Sequence, residues 1–370
     1  MKKKIMFFIN TLAGGGAERV LANLLKVLDF QKYDVTVITV RGGENLKEIP
    51  PEVNVRQIIK NENKLSAFFV KILYNMPKKW FAALFLRGKF DIEISYLPGF
   101  PTRRLAAKKS HPDTKKIAFI HGQITEESMK VLGYRNTKTC IDEYHDFAKV
   151  CFVSKNAKNC FETSVGALNN SMVLYNVVNS EEIKELALAP VDMSYATKGI
   201  KFIAVGRLVE VKGFERLLSV VKELKEAYDF ELWILGQGHL YEKLNNYIIE
   251  NKLDNVRLLG YHDNPYAYMR QADYLVCSSY SEGYSTVAIE SLILGVPVIA
   301  TLCPGMDEII QEDKYGYIVD NSETGLKSGI EYVLTENEAT AEIINNAQKY
   351  SKNCNFDKAL EEYTRLFDTV

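Results

Sequence analysis

The chain has 370 residues, 47% of them hydrophobic and 25% charged, which excludes a disordered or fibrous protein and makes two hydrophobic cores the ordinary expectation. The formal net charge of -1 conceals a gradient, with 28 Lys+Arg against 16 Asp+Glu in residues 1–180 and 18 against 31 in residues 181–370. The acidic half disfavours nucleic acid as a partner, and the absence of any run of 18 apolar residues excludes a membrane-spanning helix.

The opening residues, Met1 to Ile9, place lysines before a short apolar run. The run breaks at Asn10-Thr11, so a buried first strand over Lys4–Ile9 is a better reading than a signal peptide. Directly after it comes Thr11-Leu-Ala-Gly14-Gly15-Gly16-Ala-Glu18-Arg19, which opens a helix expected over Ala17–Leu28. Gly15 and Gly16 allow close approach of backbone N–H groups to a phosphate at a helix's positive end. The same glycines would equally serve a tight turn. The spacing is not the Gly-x-Gly-x-x-Gly of a dinucleotide site, which disfavours a NAD-dependent oxidoreductase.

Further apolar runs at Asp34–Val40, Asp91–Tyr96, Lys116–Ile120 and Val150–Val153 read as parallel strands covered on both faces. Between the second and fourth runs the chain is strongly basic, with 13 Lys+Arg and 4 Asp+Glu in residues 60–116. Within it, Lys64 to Arg87 interleaves bases with aromatics and is broken at Pro77. Two readings stand side by side: helices packed on the core with a solvated basic edge, or a surface that meets anionic lipid. His121-Gly122 ends the strand Lys116–Ile120. Taken alone, this histidine reads as packed or capped.

A second set of strands begins after a polar stretch at 176–199, at Ile200–Val205, Glu231–Leu235, Val256–Leu259, Tyr274–Cys277 and Val298–Thr301. The fold class expected is therefore α/β, with two doubly wound Rossmann-like domains over residues 1–177 and 178–354. An amphipathic helix at the end, within 355–370, could pack back on the first domain. The six cysteines lack a Cys-x-x-Cys pair, so a reducing, cytoplasmic setting is expected, with Cys151 and Cys277 as small buried side chains.

Two constellations in the second half carry chemistry. Gly206-Arg207 and Lys212-Gly213 leave the first strand of the second domain at its carboxyl end, where open α/β sheets bind ligands. Two fixed cations there suit a diphosphate, although each could also be an ordinary solvated charge. Glu282-Gly283-Tyr284-Ser285-Thr286 precedes a helix expected over Ser285–Leu294, and Glu290 lies about a turn and a half inside it. The amides of Tyr284, Ser285 and Thr286 can hold phosphate oxygens, Glu290 can accept ribose hydroxyls, and Glu282 can read hydroxyls of a transferred group. Gly236-Gln-Gly238 and Pro304-Gly305 supply two more turns on the same sheet edge. No Asp-x-Asp cluster suggests a metal, so none is expected, and no cofactor either.

In these motifs the chain resembles glycosyltransferase family 4, retaining enzymes of the GT-B fold, most closely in Gly206-Arg207…Lys212-Gly213 and in Glu282-x7-Glu290. The segment is similar to that of bacterial capsule and polysaccharide-assembly members. The resemblance implies two domains facing across a cleft and a nucleotide-sugar donor, expected to be UDP-linked. The acceptor expected is a saccharide or lipid-linked saccharide, which on the lipid reading of residues 60–116 the basic front domain would meet at the inner membrane face. It implies that Arg207 and Lys212 neutralise the departing diphosphate, Glu282 contacts the donor sugar, Glu290 the ribose, and Gly15-Gly16 phosphate or acceptor. His121 matches the family's histidine beside the donor sugar. Tyr284-Ser285 and Pro304-Gly305 depart from the family's usual Phe-Gly and Gly-Gly. A nucleotide-sugar epimerase of the same architecture and an inactive donor-binding partner subunit are the alternatives.

Overall fold

The computed structural model describes all residues except Gly14, 61–63, 193–198 and 354–356. It divides into two compact units, Met1–Val178 with Asp357–Val370, and Asn179–Phe356. The inter-domain stretch expected at 176–199 and the boundary expected at 354/355 both run into undescribed residues, as does Cys354.

The first unit is a seven-stranded sheet of β1 (Lys3–Ile9), β2 (Tyr33–Arg41), β3 (Asn54–Ile59), β4 (Ile92–Ser95), β5 (Lys115–Ile120), β6 (Lys149–Phe152) and β7 (Ser171–Val173). Its order is β3-β2-β1-β4-β5-β6-β7, and every pairing is parallel. Ile5 to Ile9 of β1 are fully buried, which is why the N-terminal run is apolar without alternation. Each such side chain stabilises the fold by about 1.5–3 kcal/mol relative to exposure. The closing helix, Asp357–Thr369, is counted in this unit. Its Phe367 meets Phe7 and Tyr33 edge-on, and its Tyr363 stacks on Phe119 at 5.8 Å.

The second unit is a six-stranded sheet of β8 (Ile200–Val205), β9 (Phe230–Leu235), β10 (Val256–Gly260), β11 (Tyr274–Cys277), β12 (Val298–Thr301) and β13 (Gly316–Val319). Its order is β10-β9-β8-β11-β12-β13, again all parallel. In both units the strand order reverses between the first and fourth strands, so β8 and β11 flank the switch point of the second sheet. Loops leaving the carboxyl ends of two such strands diverge in their onward course and line a crevice there.

Three strands escape the sequence reading: β3, β7 and β13. All three sit at sheet edges, and each leaves most of its residues partly exposed. An edge strand lacks a neighbour on one side and is free to lose the continuous apolar run on which the reading depends; the fourth edge strand, β10, keeps enough of it in Val256, Leu258 and Leu259 to be read.

The basic segment folds as two helices, Lys64–Asn75 and Lys78–Phe85, separated at Pro77. Leu73, Phe81 and Ala82 enter the core, while Phe68, Phe69, Ile72, Tyr74, Trp80 and Leu84 are exposed. The charge cluster around them is less uniform than composition suggests. Lys108 is buried against Glu93, and Arg104 is buried, donating to the Tyr74 carbonyl at 2.7 Å and lying 4.3 Å from the Phe100 ring centre. Lys116 donates to the Ala106 and Lys108 carbonyls. These three cations are structural, whereas Lys71 and Lys79 face solvent.

Candidate active site

The turn after β8 runs from Gly206 through a short 3-10 helix, Glu210–Lys212, to Gly213, which caps the helix Phe214–Leu224. Gly213 has φ +66, and a Cβ there would stand 2.1 Å from the Ser278 carbonyl oxygen. Only glycine fits a left-handed position with a backbone pressed against it. The Lys212 turn is thereby seated directly on the loop that leaves β11. Ser278 Oγ donates to the Lys212 carbonyl at 2.9 Å, and the Tyr280 amide donates to Val211 at 2.8 Å.

That seating brings Lys212 to Glu282. The ammonium Nζ is 2.6 Å from Oε1 of Glu282, and Ser279 Oγ donates to the same oxygen at 2.6 Å. Both side chains are mostly covered. The two residues read separately from the sequence thus form one charge-paired unit at the switch point. Arg207, on the same turn as Lys212, is exposed, and no ion pair of its guanidinium is seen among the described residues.

Gly206 lies under the Lys212 stem, where a Cβ would make ordinary contact with Cε at 3.6 Å. The next turn is different. Cβ atoms at Gly236 and Gly238 would strike the Gly206 and Leu208 carbonyl oxygens at 1.8 and 2.3 Å, and the Leu208 amide donates to Gln237 at 2.9 Å. Gly305, at φ +81, sits against the Gly283 carbonyl. These glycines knit loop to loop, so each is required by a neighbouring backbone whatever else the turns hold.

The helix after β11 covers Thr286–Ile293. Ser285 is its N-cap, its hydroxyl accepting from the Ala288 amide at 3.5 Å, so its side chain also serves the helix end. Gly283, Tyr284 and Thr286 are partly exposed around this positive helix end. Glu290 is 2% exposed, within a mostly apolar helix, and accepts a bond from Tyr266 Oη at 3.3 Å. Tyr266 itself is buried on the helical turn after β10.

In the first unit, Gly15 is the N-cap of the helix Gly16–Val27 at φ -81. Neither Gly15 nor Gly16 has a positive φ, so backbone strain does not require glycine here. Among the described residues a Cβ on Gly16 would meet nothing within 4 Å, so packing does not require glycine there either. His121 follows β5, beside Tyr96 at 4.7 Å and Phe119 at 6.0 Å between ring centres. Its Nε2 is buried and has no hydrogen-bond partner among the described residues, and desolvation lowers its pKa to about 3. The ring is neutral at physiological pH and offers hydrogen bonding rather than charge.

Cys140, Cys151 and Cys303 are buried thiols, Cys160 and Cys277 half-buried ones, so Cys277 is less enclosed than its apolar strand suggests. Burial raises the Cys277 thiol to about 12. Among the described residues no cluster of three or more His, Cys, Asp or Glu could hold a metal, and no helix is long and apolar enough to cross a membrane.

Sequence reasoning missed three residues of this neighbourhood: Ser279, Tyr266 and Arg216. Ser279 stands three residues before Glu282, a spacing that suits a side-chain bond. Arg216 stands four residues before Val220, among the apolar positions of the helix Phe214–Leu224, and a cation at such a position was the available signal. Tyr266 gave none, because only the fold brings it to Glu290.

Comparison with known proteins gives a consistent answer for both halves. Residues 14–182 match the family model described as Glycosyltransferase Family 4, and residues 194–350 match Glycosyl transferases group 1. The chain is 28% identical, over 96% of each chain, to the N-acetylgalactosamine-N,N'-diacetylbacillosaminyl-diphospho-undecaprenol 4-alpha-N-acetylgalactosaminyltransferase of Campylobacter jejuni. It is 28% identical, over 86% of each, to the amylovoran biosynthesis glycosyltransferase AmsD of Erwinia amylovora. Among solved structures, Anabaena HepE in complex with UDP-glucose is similar in fold, with a TM-score of 0.76 at 17% identity, over 99% of this chain and 100% of that one.

Proposed function

Because the chain belongs to glycosyltransferase family 4 and is a sugar-transferring enzyme of the GT-B fold, we propose that it is a retaining, metal-independent transferase. In this reading it uses a UDP-sugar to extend a saccharide, or a lipid-linked saccharide, in surface polysaccharide synthesis. The observation that carries the reading is the meeting of the Lys212 turn and the Glu282 loop at the β8/β11 switch point, beside a helix's amino end. Cleaving a sugar–phosphate bond builds negative charge on the departing diphosphate. Lys212, Arg207 and the amides around Thr286 stabilise that charge without a divalent ion.

Nζ of Lys212 turns from Glu282 toward phosphate when the donor binds. Glu282 keeps its bond from Ser279 and takes up sugar hydroxyls. Glu290, held by Tyr266, accepts the ribose hydroxyls. The acceptor hydroxyl attacks C1 on the face that the diphosphate leaves, and its proton passes to the departing phosphate oxygen. His121, neutral, hydrogen-bonds a sugar hydroxyl, and Gly15-Gly16 offers amides to phosphate or acceptor. An epimerase is disfavoured by the likeness to transferases such as the Campylobacter jejuni enzyme, whose name specifies a lipid-linked acceptor.

For the membrane contact, the support is the exposed set Phe68, Phe69, Ile72, Trp80 and Leu84, flanked by Lys71 and Lys79. An apolar face rimmed by lysines suits an anionic inner leaflet. Calorimetric titration of a panel of UDP- and GDP-sugars tests the donor assignment. Binding confined to GDP-sugars would refute the UDP reading, and hydrolysis or isomerisation without an acceptor would refute transfer.

A further inference from the structure

Arg216 lies on the first turn of the helix that Gly213 opens, and it is buried at 5% exposure. Its guanidinium is spent almost wholly on the loop leaving β11. Nε and Nη2 both donate to the Ser278 carbonyl, at 2.8 and 2.6 Å. Nη2 also donates to the Ser279 carbonyl at 2.7 Å and to Thr301 Oγ1 at 3.2 Å, while Nη1 reaches Asn321 Oδ1 at 2.8 Å. The guanidinium carbon stands 3.9 Å from the Tyr280 ring centre.

The partners of Arg216 hold the same backbone. Thr301 Oγ1 donates to Ser279 at 2.6 Å, Cys303 Sγ donates to Ser279 at 3.0 Å, and Asn321 Nδ2 donates to Tyr280 at 2.9 Å. The Ser278 and Ser279 carbonyls are thus gathered on one cation, and the next carbonyl, that of Tyr280, is held by Asn321, itself bonded to the guanidinium. A planar fork can serve such divergent acceptors where a single ammonium cannot. The Ser278 carbonyl is also the atom against which Gly213 is pressed, and Ser279 carries the hydroxyl that holds Glu282. Arg216 therefore sits one residue contact from each half of the Lys212–Glu282 pair.

We propose that Arg216 is a positioning residue for the transfer reaction, fixing the Ser278–Tyr280 backbone so that the Glu282 loop and the Lys212 turn keep the register in which their side chains meet. The inference rests on the reading of Lys212 and Glu282 as site residues. It does not place Arg216 on the substrate. A misplacement of reacting groups by about 1 Å can cost roughly 100-fold in rate, so the effect belongs on turnover, with donor and acceptor KM changed little.

Arg216→Lys, which retains the charge and loses the fork, is to be assayed for kcat and KM alone and together with Lys212→Ala. Folding is monitored by denaturant unfolding. Asn321→Ala, which removes one bond to the guanidinium and one to Tyr280, serves as the milder second variant. We expect Arg216→Lys to lower kcat roughly 10- to 100-fold with KM nearly constant. Asn321→Ala should follow in the same direction. In the Lys212→Ala background Arg216→Lys should change the residual rate by less than about 3-fold. Unchanged kcat in Arg216→Lys, or an equal loss with and without Lys212, overturns the positioning role. Full turnover in Lys212→Ala itself instead overturns the site reading, and the inference falls with it. If Arg216→Lys does not fold, Asn321→Ala and its combination with Lys212→Ala decide by the same criteria.

Discussion

Nζ of Lys212 and Oε1 of Glu282 stand 2.6 Å apart, although 70 residues separate them in the chain. The pairing depends on β8 and β11 being neighbours, so that a turn and a loop from distant segments leave the same sheet edge. It also makes the two residues testable as a unit.

Lys212→Ala removes the cation proposed to stabilise the leaving diphosphate and strands Glu282 with Ser279. Turnover should fall by roughly 100- to 1000-fold, as for other fixed transition-state donors. Glu282→Gln keeps a hydrogen-bonding side chain and releases Lys212 from its counter-charge. Turnover should fall while UDP affinity is maintained or improved. Steady-state kinetics and UDP titration on both variants check this, and wild-type turnover in both would remove the pair from the chemistry.

Glu290 and Tyr266 should act on binding rather than on chemistry. Glu290→Ala is expected to weaken UDP without a matching loss of kcat at saturation. Tyr266→Phe deletes one hydrogen bond worth about 0.5–1.5 kcal/mol, or ~2- to 10-fold in affinity. Calorimetry with UDP against UMP and uridine should show the loss for all three ligands, because the contact proposed is to ribose.

His121 makes a prediction about pH. Its pKa falls from 6.5 in the unfolded chain to about 3 in the folded one, through desolvation. Between those values the unfolded state binds the extra proton, so stability rises with pH across the window. The contribution is complete above pH 6.5 and is lost progressively as pH falls toward 3. Urea unfolding of the wild type and His121→Gln at pH 4 to 7 should differ in slope by up to about 1.4 kcal/mol per pH unit. Parallel profiles would show that the ring is not desolvated.

The exposed aromatic face predicts lipid affinity. Flotation with anionic vesicles should carry the wild type, and Phe69→Ser with Trp80→Ser should remain in the dense fraction at unchanged solution stability. Raised salt should weaken the interaction through Lys71 and Lys79. Equal flotation of both proteins would assign the two helices to packing alone.

Legibility in the sequence followed burial. The central strands β1, β2, β8, β11 and β12 announce themselves because residues covered on both faces must be apolar throughout. The edge strands β3, β7 and β13 do not. At the site, Arg207, Lys212, Glu282 and Glu290 could be picked out by their spacing after strands. What joins them could not: Ser279, Arg216 and Tyr266 acquire their meaning from three loops meeting at one sheet edge. The glycines divide in the same way. Gly213, Gly236 and Gly305 were visible only as turn residues after strands, and the neighbouring backbone that requires each of them is supplied by the fold.

The central claim is that cations and a helix end hold a diphosphate with no metal ion, and it is most directly tested by titrating UDP and uridine, in EDTA, into the wild type and the Arg207→Ala/Lys212→Ala double variant. The account predicts that the wild type binds UDP well above uridine in EDTA, and that the double variant loses most of that margin while still binding uridine. A margin that survives both substitutions, or one that appears only when a divalent cation is added, would contradict it.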